Sequence, residues 1–146
     1  MMNKAVVRVG RPLAGFALLV VAALVSGPPA NAAGADAGGT ATPVLSQALP
    51  NVPGKTLTAV VVKYPPGGKS PKHHHSGSVF AYVLSGAIRS QVSDQGPARV
   101  YKAGESFFEP PGSEHLISEN ASDTESASLL AVFVADDGAK LTTFDK

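Results

Sequence analysis

From residue 51 onward, short apolar runs alternate with breaks rich in Pro and Gly, and the runs have the length and residue types of strands. Residues 56–64 (TLTAVVVKY) are β-branched and apolar, and stop at PPGG. Residues 79–86 (VFAYVLSG) and 87–92 (AIRSQV) follow, then DQGP, 98–101, KAGE, 106–110, PPGSE and 115–120. Residues 127–135 (ASLLAVFVA) form the strongest run, and 141–144 close the series after DDGA. No segment of this part carries a helical period. About eight strands with frequent turn signals predict an all-β sandwich or barrel.

Two of these strands are apolar on both faces. Val79, Ala81 and Val83 alternate with Phe80, Tyr82 and Leu84, and 129–134 is similar. A lone antiparallel sheet leaves one face polar, so part of the outer face is expected to be covered. A second subunit covers it most simply, which predicts a homodimer; an N-terminal segment lying over the face is the alternative.

The beginning of the chain follows a different pattern. MMNKAVVRVGR is basic, LAGFALLVVAALV (13–25) is uninterrupted apolar sequence, and SGPPANAAGADA breaks any helix. The apolar run is shorter than the ~20 residues needed to span a bilayer. The arrangement predicts a signal peptide over 1–32, cleaved at Ala30-Asn31-Ala32, with Ala33-Gly34-Ala35 as a second choice. No Arg-Arg pair points to the twin-arginine route, so the expectation is Sec-type export to the periplasm or beyond, with no membrane attachment after cleavage. Residues 33–50 are Ala-, Gly- and Thr-rich and are expected to form a flexible lead-in, with one domain over 51–146.

Composition narrows the chemistry. The 146 residues carry a net charge of +1, which gives no field suited to nucleic acid. Cysteine is absent, so disulfides, thiolate metal ligands and cysteine nucleophiles are excluded. There is no G-x-S-x-G elbow, and GGKS lacks the spacing of a phosphate loop.

Histidine is where the candidate chemistry lies. His73, His74 and His75 are consecutive, and the chain has one more, His115. In an extended strand His73 and His75 share a face and His74 takes the other. Two adjacent imidazoles facing inward need a reason, and a shared metal supplies one. His115 begins a strand after a Pro-Gly turn, and across a barrel it can close such a site. The plain alternative is a solvated loop with His115 unrelated to it.

Gly67, His73, His75 and Gly86 resemble the first motif of the cupins, and Gly104, Pro110, Gly112 and His115 resemble the second. Asn120 stands one place beyond the usual asparagine. The resemblance spans roughly residues 51–135 and is closest to small, single-domain, exported bacterial cupins. It implies a double-stranded β-helix, related to the jelly roll, with a metal held by His73, His75 and His115.

One position departs from that pattern. Val79 stands where cupins usually carry a glutamate ligand. Three imidazoles leave a divalent ion its full charge, and suit Zn, or Fe as in cupins resembling thiol dioxygenases; Mn, Ni and Cu also fit the donor set. Glu109 shares strand parity with Phe107, and is the candidate general base or outer-shell acid; no catalytic residue is otherwise assigned. Glu105 and Glu114 read as turn acids, and Tyr82 and Tyr101 as core or pocket aromatics. The resulting expectation is a metal-binding cupin acting on a small molecule, either a dioxygenase or a metal-assisted lyase. The alternative is a non-catalytic cupin that binds or senses a small ligand or metal.

Overall fold

A computed structural model describes residues 38–145 of the chain. These residues form ten strands and no helix: β1 (Thr40–Ala48), β2 (Lys55–Tyr64), β3 (His73–His75), β4 (Ser78–Ser85), β5 (Ala87–Val92), β6 (Arg99–Lys102), β7 (Ser106–Glu109), β8 (Glu114–Asn120), β9 (Ala127–Asp136) and β10 (Thr142–Phe144). They make two five-stranded antiparallel sheets, ordered β1-β2-β9-β4-β7 and β10-β3-β8-β5-β6. The expected all-β architecture is present.

Alternation along each strand builds the core. On β4, Val79, Ala81 and Val83 are almost completely buried while Phe80, Tyr82 and Leu84 face outward. On β9 the inward set is Ala127, Leu129, Ala131, Phe133 and Ala135. With Tyr64, Ile88 and Phe107, these side chains form the apolar core between the sheets. Burying one such aliphatic side chain contributes roughly 1.5–3 kcal/mol.

Two of the links between the sheets are very short. Gly86 alone connects β4 in one sheet to β5 in the other, with φ at 66°. Only glycine enters that left-handed region without steric cost, and a Cβ there would lie 2.7 Å from the Ser126 carbonyl. Ser76 and Gly77 join β3 to β4 in the same manner. A Cβ on Gly77 would collide with the Val134 carbonyl, so this glycine is required by the close approach of β9.

Two sequence expectations meet the structure here. Residues 40–48, expected within a flexible lead-in, instead form β1, which pairs along β2 from Thr40↔Lys63 to Ala48↔Thr56. Their side chains are almost all exposed, so backbone pairing rather than burial holds the strand. That is why a stretch whose few large apolar side chains, Val44 and Leu45, stay exposed is nonetheless ordered. The signal peptide expected over 1–32 lies outside the described residues. β1 also bears on the outer sheet face: it extends the sheet at its edge. Phe80, Tyr82, Leu84 and Phe108 remain exposed, with Phe80 and Phe108 side by side across β4 and β7.

Candidate metal centre

Strand alternation places the histidines. β3 has only three residues, yet its pleat turns His73 and His75 into the barrel and His74 out, where the His74 ring lies 3.5 Å from Asp145. β3 lies between β10 and β8, with His73 directly opposite His115. The His73 ring centroid is therefore 4.8 Å from that of His75 and 5.0 Å from that of His115. All three residues are buried, and one potential ligand atom from each lies within 4.8 Å of the others. Phe133, Phe107 and Phe144 pack against these rings and form an apolar wall around them.

Outer hydrogen bonds determine which nitrogen of each ring faces inward. His73 Nδ1 lies 2.7 Å from the Pro71 carbonyl, and His75 Nδ1 lies 3.1 Å from the Leu141 carbonyl. A carbonyl only accepts, so both Nδ1 atoms carry the proton and both Nε2 atoms present lone pairs. His115 is held from the opposite side of its ring: Nε2 bonds Ser90 Oγ at 2.8 Å, and Nδ1 faces the centre. Burial pushes His73 down from the ordinary 6.5 to about 4, outweighing the bond to Pro71, and neighbouring imidazoles push the same way. Burial likewise lowers His75. Both rings are thus neutral near pH 7, the form that ligates metal.

Glu109 completes the cluster from the other sheet. It is buried on β7 beside Phe107's inward face, and pairs directly with Val79 on β4. Its Oε2 lies 3.0 Å from His115 Nδ1 and 3.7 Å from His75 Nε2. The closer pair is misaligned for a hydrogen bond, and both atoms are buried without one. Burial favours the neutral acid, but His115 beside it, with His75 and His73, outweighs burial and holds the carboxyl below its ordinary range. Buried polar atoms that face one another without a hydrogen bond are an environment that a cation can stabilise. The residues therefore fit a divalent ion.

The centre opens into a cavity of about 760 Å³. Val60, Val62, Leu129 and Ala131 supply much of its apolar wall, and Thr56, Thr58 and Ser118 its polar positions. Tyr64 also lines it, its hydroxyl 2.7 Å from Ser70 Oγ and 3.0 Å from Ser118 Oγ. Burial raises this phenol above its ordinary value. Sequence reasoning missed Tyr64 and Ser90 as site residues. Inward parity on β2 and β5 was the available signal, but nothing in the sequence set those strands beside the histidines.

The other candidates lie elsewhere. Glu105 bonds the Lys102 amide in a turn, and Glu114 pairs with Lys72 on the surface at 2.9 Å. Tyr82 points outward, and Tyr101 packs against Phe107. Asn120 ties together the loops after β2 and β8, donating to the Pro65 and Glu125 carbonyls.

Residues 60–133 match the cupin domain family. That match covers half of the chain, and the protein belongs to the cupins. A double-stranded β-helix protein from Klebsiella pneumoniae superposes with a TM-score of 0.59 at 22% identity, over 79% of this chain and 90% of that one. The DMSP lyase DddQ from Ruegeria pomeroyi gives 0.58 at 20% identity, over 73% and 51%. An oxalate oxidase bound to glycolate gives 0.57 at 21% identity, over 75% and 56%. The chain thus spans about half the length of these two enzymes, and at such identities the likeness is one of fold. No curated protein matches the sequence.

Proposed function

We propose that this protein is a metal-dependent cupin that holds one divalent ion through His73, His75 and His115 and acts on a small organic molecule in the adjoining cavity. The observation that carries the reading is the convergence of three buried imidazole ligand atoms within 4.8 Å, with outer hydrogen bonds fixing their orientation. A bound divalent ion would supply Lewis-acid activation of an oxygen-bearing substrate or a site for dioxygen. The chain's own groups do the rest. The apolar wall excludes water, Tyr64 and Ser118 offer hydrogen bonds to the ligand, and Glu109 can accept a proton beside the centre. The similarly folded lyase and oxalate oxidase support a small organic acid as substrate, with either a lyase or an oxygenase step. Export to the periplasm or beyond, and a symmetric dimer through the Phe80–Phe108 face, are parts of the same proposal.

Elemental analysis of protein from its native compartment tests it. About one divalent ion per chain is expected, and His75→Ala is expected to lose it. Equal metal content in wild type and in a folded His73/His75/His115 triple alanine variant refutes the metal reading. Oxygen-uptake and lyase assays on small organic acids, phenols and thiols then separate an enzyme from a non-catalytic binder.

A further inference from the structure

The proposed metal reading leaves one question: what replaces the acid absent at position 79. We propose that the carboxylate of this centre has moved one strand across the sheet, so that Glu109 on β7 is the fourth metal ligand in place of a glutamate at position 79 on β4. The inference rests on the three-histidine reading above and on three features of the fold.

The first is register. Val79 and Glu109 are direct cross-strand partners, so their side chains leave the sheet on the same face. Both are buried, at 1% and 3% exposure, and Phe107, two residues before Glu109, is inward as well. An acid at either position of this pair enters the same interior.

The second is distance. Donors about 2.1 Å from one ion stand about 3.0 Å apart at octahedral right angles and about 3.4 Å apart at the tetrahedral angle. Glu109 Oε2 lies 3.0 Å from His115 Nδ1, which is the octahedral spacing, and 3.7 Å from His75 Nε2, a few tenths of an ångström wider than the tetrahedral one.

The third is the lack of any other partner. Glu109 Oε2 and His115 Nδ1 are both buried and make no hydrogen bond. Ser90 engages the other nitrogen of His115, so with that nitrogen protonated a lone pair faces the carboxylate. A structural ion pair would align the N–H with the oxygen, and that alignment is missing. A shared cation satisfies both atoms without it.

The placement changes the electrostatics of the site. Three imidazoles alone leave a divalent ion at +2, whereas Glu109 lowers the centre by one charge. Val79 then belongs to the apolar core, and the acid enters from the edge strand β7 rather than from its neighbour β4.

Cobalt(II) titration of chelator-treated full-length protein, followed by visible absorption, tests the assignment, with circular dichroism confirming that each variant is folded. Wild type and His75→Ala establish the three-histidine site independently. Glu109→Gln is expected to weaken cobalt binding at least about tenfold and to alter the visible bands, because a neutral amide oxygen replaces the anionic ligand. Adding Val79→Glu to Glu109→Gln is expected to restore affinity and a carboxylate-ligated spectrum. The assignment is overturned if Glu109→Gln leaves affinity and bands unchanged while His75→Ala abolishes binding. It is overturned equally if affinity falls with unaltered bands, which marks Glu109 as a positioning residue, or if the folded double variant is not rescued. If wild type binds no cobalt, the metal reading itself fails.

Discussion

Acidification of the metal-free protein should destabilise it from about pH 6.5 downward, and His73 sets the size of the effect. Its ring is 6% exposed and is held near a pKa of about 4, against 6.5 in a solvated chain. The unfolded state therefore binds the proton first. Stability is fully present above pH 6.5 and is lost as pH falls toward about 4. At pH 5 the two pKa values differ in their proton binding by about 2 kcal/mol. His75 is shifted in the same direction by burial and adds to the loss. Glu109, held low, contributes its own loss only under more acidic conditions. For a domain of this size, about 2 kcal/mol corresponds to a fall in Tm of about 10 °C. Thermal unfolding of chelator-treated protein at pH 7.5 and pH 5, in wild type and in His73→Gln, measures it. His73→Gln is expected to flatten the dependence, whatever its Tm at pH 7.5. An equal drop in both proteins, or no drop in wild type, refutes the claim that burial of His73 carries a proton-linked cost.

Three further outcomes are expected. Ser90→Ala removes the hydrogen bond that orients His115, and should weaken metal binding about tenfold while leaving the fold intact, as read by titration and circular dichroism. Gly86→Ala forces a side chain into a left-handed backbone and against the Ser126 carbonyl. A loss of at least about 2 kcal/mol in denaturant unfolding is expected, and a change below about 0.5 kcal/mol contradicts the packing described for the β4–β5 link. Phe80→Glu should convert a dimer to a monomer in sedimentation velocity, and a monomeric wild type rules out the proposed dimer face.

Much of the fold was legible because strand alternation is a local property. Val79, Ala81 and Val83 against Phe80, Tyr82 and Leu84 declared two faces, and the structure buries the first set and exposes the second. The His-x-His spacing needed only an extended backbone to bring two rings to one side, and β3 supplies it. β1 was not legible, because its order comes from pairing with β2 and its own side chains bury little.

The sequence by itself determined the β-class, the strand phases, the glycines at tight links and the two histidine motifs of a cupin. It also identified Val79 as a position without its expected acid. Only the tertiary structure decided which acid lies beside the histidines. Glu109 is thirty positions from Val79 along the chain, and cross-strand register makes them neighbours. Ser90 reaches His115 only because β5 lies against β8, and the Leu141 carbonyl reaches His75 only because β10 folds back onto β3. Periodicity along a chain fixes the side of a strand on which each residue lies. Which strands become neighbours depends on how the whole set buries its apolar faces, and that is a property of the folded molecule.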